Sequence, residues 1–226
     1  MNVADLDRVG LIGGTGPLGR GLAARLAAAG LAVRLGSRDP QRADEIATTI
    51  QAQVGSEAGT VAGVANLDAA SFGRLVLLTV PYEAGAALLT ELGGPLQGRV
   101  LISTAAPMEF RRGVPYPITP EAGSAALEAS QQCPGALVVG AFHTVSASNL
   151  QRLGSPLDED VIVTADDPEA KELVLRLVRT IAGLRPVDGG GLGNAHFSEM
   201  LTPYLIRLNR LHHTETGIRI TGLAPD

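Results

Sequence analysis

The chain has 226 residues, 45% hydrophobic and 18% charged, enough to fill one sizeable core and too few for two full domains. Eighteen basic against 23 acidic residues leave a net charge of −5, and aromatics are only 3% with no tryptophan. That balance argues against a nucleic-acid surface, a base-stacking platform or an anionic-membrane patch, so any anionic ligand must be met by local donors.

At the N-terminus, Asp5 and Asp7 are opposite in sign to the start of a secretory leader, and no apolar run of about 20 residues follows that would span a membrane. Residues 9–13 are apolar and end in glycines, after which Leu18, Leu22 and Leu26 recur every four residues as far as Gly30. This pattern predicts a strand, a turn and a helix. A second strand is predicted over 31–36, and Asp39 with Pro40 opens a second helix that runs to Ile50. Further strands are expected at 60–64, 75–80, 99–103 and 137–141, with helices at 83–92 and 121–132. Alternation of this kind implies βαβ units and a mostly parallel α/β sheet covered on both faces.

The last third holds an apolar run at 161–163, a helix over 168–182 and a glycine cluster at 189–193. A longer segment follows at 195–213, where Met200, Tyr204, Leu208 and Leu211 keep helical spacing across Pro203. A soft boundary falls at Gly154, Ser155 and Pro156, dividing a main domain, 1–154, from a small C-terminal part, 155–226, that packs on it.

Chemistry is concentrated at the ends of the predicted strands. Gly14, Gly16 and Gly19 follow a strand and open a helix, the context that a dinucleotide fingerprint requires. The first glycine allows the tight turn, the second admits a pyrophosphate to the backbone, and the third lets helix and strand approach. The second strand ends in Ser37 and Arg38, with Arg42 one helical turn on, where an NAD enzyme carries an acid. A hydroxyl and two guanidinium groups suit a 2′-phosphate, so NADP is expected, with Asp39 turned away to cap the second helix. The alternative is that Arg38 and Arg42 are solvated helix-face charges.

Val80, in the Thr79–Val80–Pro81 step, and the segment Ser103–Pro107 end strands at the same edge, and each reads either as cofactor-facing or as ordinary strand-end structure. His143 emerges after the run 137–141 and is either a proton donor, a hydrogen-bond partner for a bound ring, or a satisfied structural histidine. His196, His212 and His213 lack metal-ligand spacing, and no metal site or nucleophilic triad is recognisable. Cys133, the one cysteine, excludes an internal disulfide and suits a reducing, cytoplasmic compartment.

With the Gly13–Gly19 turn, the Ser37–Arg38 pair and the Thr79–Val80–Pro81 step assembled, the chain resembles the NADPH-dependent coenzyme F420 reductases, the F420H2:NADP oxidoreductases. The likeness continues through Phe142–His143–Thr144, through Leu184–Arg185–Pro186 and the glycine cluster, and through Glu199, Leu201, Thr202 and Pro203 to Gly217 and Ile218. It implies a Rossmann-type, doubly wound parallel sheet with a small helical or mixed C-terminal subdomain closing a deazaflavin cleft. It also implies a homodimer that passes hydride directly between nicotinamide C4 and deazaflavin C5, with NADP(H) and coenzyme F420 as its small-molecule partners.

By the same resemblance Thr15, Gly16, Pro17 and Leu18 bind pyrophosphate beside Gly14 and Gly19, while Ser37, Arg38 and Arg42 hold the 2′-phosphate. Val80 and Ala106 line the nicotinamide, and His143 and Ala147 border the deazaflavin. No catalytic side chain is required. Pro17 stands where the family often has Asn, the loop Ser103–Ala106 is less bulky than usual, and Ile220 replaces a frequent aromatic. Alternatives are a flavin or an imine or keto acceptor, and an NADP(H)-sensing protein without chemistry. Lys171, the single lysine, sits on a predicted surface helix and gives the keto-acid variant little support.

Overall fold

The computed structural model describes residues 6–223; Asp5, used above in reading the N-terminus, lies outside the described residues, as do 224–226. The strands are β1 (Arg8–Ile12), β2 (Ala32–Ser37), β3 (Val61–Ala65), β4 (Leu75–Leu78), β5 (Val100–Ser103), β6 (Met108–Arg111), β7 (Val114–Pro117), β8 (Leu137–Gly140), β9 (Glu159–Ala165) and β10 (Leu184–Asp188). The helices are α1 (Pro17–Ala28), α2 (Pro40–Val54), α3 (Asn66–Ser71), α4 (Tyr82–Leu96), α5 (Ala125–Gln132), α6 (Ala147–Gln151), α7 (Pro168–Thr180) and α8 (Ala195–His212).

One eight-stranded sheet has the order β10-β9-β8-β5-β4-β1-β2-β3. Its strands from β3 to β8 pair in parallel, β9 joins β8 antiparallel, and β10 runs parallel to β9. Successive side chains of the central strands enter opposite cores. Leu75, Leu77, Val100 and Ile102 pack with α1, α2 and α7, whereas Val76, Leu78 and Leu101 pack with α4 and α5. Every residue of β4 and β5 is buried, which is why these strands read as continuous apolar runs. The architecture is the Rossmann-type, doubly wound sheet that the alternating elements imply.

Several elements depart from the sequence reading for identifiable reasons. The strand expected over 75–80 stops at Leu78, because Pro81 has no N–H for a ladder. The helix expected from 121 starts only at Ala125, where the Ser124 side chain accepts from Leu127 N. Helices α3 and α6 are too short to show a period. Strand β10 carries Pro186 but pairs on one side only, as an edge strand can. The β6–β7 hairpin stands apart from the sheet with mostly exposed residues. Helix α8 passes through Pro203 unbroken, giving up one hydrogen bond to the Glu199 carbonyl.

Candidate functional site

The glycine turn joins the carboxyl end of β1 to α1, and Gly14 N donates to the Gly36 carbonyl at 2.9 Å, tying it to the end of β2. A methyl group built on Gly19 would fall 2.4 Å from the Gly14 carbonyl oxygen, so this glycine permits the close packing of helix and turn. Gly16 differs: a methyl group there meets no protein atom nearer than 3.8 Å. Packing does not require glycine at position 16, and the open space lies at the start of a helix whose cap offers no side-chain acceptor. With Pro17 lacking an N–H, the amides of Leu18 and Gly19 face that space, as those of any helix start do. This is the room and the donor set that a pyrophosphate needs.

Beside the turn, Ser37 is buried and its Oγ accepts from Asp39 N at 3.1 Å, which leaves the hydroxyl proton free to donate. Asp39 Oδ1 accepts from Arg42 N at 3.1 Å, so the acid caps α2, as the sequence reading expects. Arg38 and Arg42 are exposed, and among the described residues neither guanidinium has an ion-pair partner. Two uncommitted cations beside a free hydroxyl fit a 2′-phosphate.

Further along the carboxyl edge a cavity of about 310 Å³ brings together Leu18, Ala106, His143 and Ala147, drawn from three segments widely separated in sequence. Helix α6 supplies Ala147 because it lies directly on α1: Gln151 Nε2 donates to the Pro17 carbonyl at 3.0 Å. Buried Arg25 on α1 donates to the carbonyls of Asn149, Leu150, Arg152 and Ser155, closing the carboxyl end of α6. Val80 is not part of this cavity. It packs on Gly13 and lines a separate hollow of about 260 Å³ with Ser103, Ala105 and Tyr82. The Tyr82 hydroxyl there donates to Glu128 at 2.8 Å, and burial followed by that bond pushes its pKa up to about 12.

His143 is fixed by α8. Thr202 Oγ1 donates to its carbonyl at 2.7 Å, and Ser198 Oγ lies 3.1 Å from its Nδ1. Ser198 already donates its proton to the Ala195 carbonyl at 2.9 Å, so Nδ1–H is the donor in the histidine contact. Burial holds the His143 pKa down to about 4, which keeps the ring neutral at physiological pH. Nε2 is then a buried acceptor without a partner among the described residues. The proton-donor reading of His143 therefore gives way to that of an acceptor, while Phe142 before it is buried at φ +64°, a conformation bulky residues rarely adopt.

Further residues complete the wall, some of them, such as Thr104 and Thr202, in stretches that the sequence reading named without giving them a role of their own. Thr104 lines the cavity and donates to the Leu78 carbonyl at 2.8 Å; Thr202, Leu205 and Asn209 come from one face of α8. Their spacing of three and four is a visible helical signal, but nothing local tells which surface the face meets. Glu199, also buried on α8, accepts from the amides of Ala125 and Ala126 at 2.9 and 3.1 Å, and burial outweighs these bonds to raise its pKa. Among the described residues no acid, cysteine and histidine cluster could hold a metal, and no helix is long and apolar enough to cross a membrane.

The family described as "NADP oxidoreductase coenzyme F420-dependent" matches residues 8–107. An F420-dependent NADP reductase of Methanothermobacter thermautotrophicus is 38% identical over 222 residues, 96% of this chain and 95% of the relative. The chain belongs to the F420-dependent NADP reductase family. The enzyme of that name from Methanocaldococcus jannaschii is 36% identical over 96% of this chain and 99% of its own length. A solved structure from Arthrobacter sp. FB24, assigned as an F420-dependent NADP reductase, superposes with a TM-score of 0.79 at 29% identity, covering 95% of this chain and 99% of its own. The match to members of this family thus extends over the C-terminal third, including β9, β10 and α8.

Proposed function

We propose that this chain is an oxidoreductase that transfers a hydride between NADP(H) and the deazaflavin coenzyme F420. The observation that carries the reading is the continuous edge on which the open start of α1, the uncommitted Arg38 and the cavity holding Leu18, Ala106, His143 and Ala147 adjoin. When both cofactors are bound, nicotinamide C4 and deazaflavin C5 supply the reacting carbons. The protein's part is to hold, align and dry them. The α1 amides take the pyrophosphate, Ser37, Arg38 and Arg42 take the 2′-phosphate, Ala106 and Val80 border the nicotinamide, and His143 and Ala147 border the deazaflavin. His143 stays neutral and offers Nε2 as an acceptor. The segment 155–226 closes the cleft by laying α8 across it.

The same reading takes the protein as a cytoplasmic homodimer. Phe197, Tyr204 and Leu211 recur every seven residues on the face of α8 opposite the cavity, at 68, 57 and 71% exposure, and a second copy of this stripe would cover them. Light scattering on Tyr204→Glu should report a monomer if that face pairs.

Stopped-flow mixing of the protein with NADPH and oxidised F420 tests the activity, with FMN, FAD and NADH as controls. Rapid loss of deazaflavin absorbance with NADPH and F420 is expected. NADPH binding without bleaching would defeat the proposal and favour a flavin acceptor or a sensor.

A further inference from the structure

The cavity beside His143 does not end at the ring site. Ile206, Asn209 and Glu215 also line a second, open groove of about 690 Å³, whose other walls include Arg152, Arg210 and His213. Helix α8 forms the common floor, and from Thr202 to His212 it advances about 15 Å at 1.5 Å per residue. The groove is therefore continuous with the cleft along one helix.

Its charge is unusual for a protein of net charge −5. Arg152 has no side-chain partner among the described residues, and Arg210 gives one N–H to the Gly113 carbonyl and keeps the rest. Glu215 is the one carboxylate in the groove, and it sits at the junction, where its Oε2 accepts from Ser146 Oγ at 2.7 Å and Asn209 Nδ2 at 3.4 Å. The path thus runs from an apolar ring cavity, past neutral polar groups and an occupied carboxylate, to uncommitted cations. A ligand that fits it has a ring, a hydroxylated linker and an anionic end.

We propose that the groove of Arg152, Arg210 and His213 binds the anionic tail of the deazaflavin co-substrate. Coenzyme F420 carries in sequence a ring, a ribityl chain, a phosphodiester and glutamyl carboxylates, which is the order of the surfaces along α8. Planar guanidinium groups pair with phosphate and carboxylate oxygens through two parallel N–H donors. The proposal rests on the deazaflavin reading of the cleft and adds to it the residues that select a tailed coenzyme over the bare ring.

Equilibrium fluorescence titration of the NADP-loaded protein tests it, comparing F420 with 7,8-didemethyl-8-hydroxy-5-deazariboflavin, which has the same ring and ribityl chain but no phosphodiester or glutamates. The wild type should prefer F420, and raising KCl from about 0.05 to 0.5 M should shrink that preference by screening the exposed pairs. In Arg152→Gln/Arg210→Gln the preference should fall by about tenfold, the loss expected for charge-assisted bonds. Both side chains are exposed, and Arg25 holds residue 152 by its carbonyl, so the variant keeps the fold. Equal wild-type affinity for the two deazaflavins, or an undiminished preference in the variant, overturns the assignment. Hydride transfer to F420 with an undiminished preference would sink the tail site alone. A charge-dependent preference without hydride transfer would uphold the tail site and defeat the activity.

Discussion

Gly16→Ala separates a glycine kept for packing from one kept for a ligand. Gly16 has φ −73° and ψ 168°, a conformation open to alanine, and the added methyl meets nothing nearer than 3.8 Å. Alanine is a poorer helix cap than glycine, but it also restricts the unfolded chain, and these effects of about 0.5–1 kcal/mol oppose each other. Folding stability should therefore change by less than about 1 kcal/mol. The methyl would stand where a pyrophosphate meets the α1 amides, and loss of one or two hydrogen bonds to a charged group, about 1.5–3 kcal/mol each, should weaken NADPH at least tenfold. Gly19→Ala is the contrast: its methyl would fall 2.4 Å from the Gly14 carbonyl oxygen and 2.6 Å from the Gly14 Cα, and no flexible side chain can yield. It should lose about 1–3 kcal/mol of stability, a fall in Tm of about 2–4 °C per kcal/mol at this chain length. Thermal unfolding without ligand and a NADPH fluorescence titration on each variant measure both quantities. Wild-type NADPH affinity in Gly16→Ala would refute the assignment of the open space to the pyrophosphate.

Arg38→Asp should weaken NADPH by about 1.5–3 kcal/mol more than NADH, and equal effects on both dinucleotides would remove Arg38 from the 2′-phosphate site. Glu199→Ala strips the acceptors from the Ala125 and Ala126 amides, and should destabilise by about 1–3 kcal/mol in urea unfolding; an unchanged midpoint would show that water satisfies those amides. His143 titrates near 6.5 when exposed and at about 4 in the fold, so between those values the unfolded chain binds more protons. Stability from this group is complete above pH 6.5 and falls as pH drops toward 4, by about 3 kcal/mol at about 1.36 per unit, so His143→Gln should flatten the acid limb of a Tm profile.

Features encoded within a few residues were legible from the chain. The glycine turn, the Asp39 cap and the buried runs of β4 and β5 depend on neighbours in sequence, and periodicity reports neighbours. The wall of the cavity is different. Ser198 and Thr202 reach His143 across 55 and 59 positions, and Gln151 reaches Pro17 across 134. Nothing in the pattern at 195–213 distinguishes the face of α8 that meets the cleft from the face that carries Phe197 and Tyr204, because both are partly apolar. The apolar run at 161–163 announced a strand but not its direction, since β9 would read the same either way.

That direction is what turns a dinucleotide sheet into a two-ligand cleft. β8 and β9 pair only at Val139 with Ala165 and Gly140 with Thr164, at the carboxyl ends of both strands. The rest of β9 therefore stands beyond the edge of the parallel sheet and forms a side wall above it. The wall is fastened at Asp160, whose carboxylate takes both N–H arms of Arg185 at 2.9 and 2.7 Å and accepts from Ile220 N at 2.6 Å; the hydrogen bonds from Arg185 lead in holding its pKa below the usual carboxylate range. Glu159, one residue earlier, accepts from Asn149 of α6 at 3.2 Å. The chain then returns along β10 to start α8 against Gly140, where an added methyl would meet Ala195 Cβ at 3.1 Å. From that start α8 can cross the carboxyl edge and hold the strained Phe142–His143 turn by Ser198 and Thr202. A left-handed conformation at a buried phenylalanine, costing about 1–3 kcal/mol, persists only where its surroundings over-determine it. Ser198 and Thr202 supply part of those surroundings, and the reversed strand β9 leads the chain to the start of the helix that carries them.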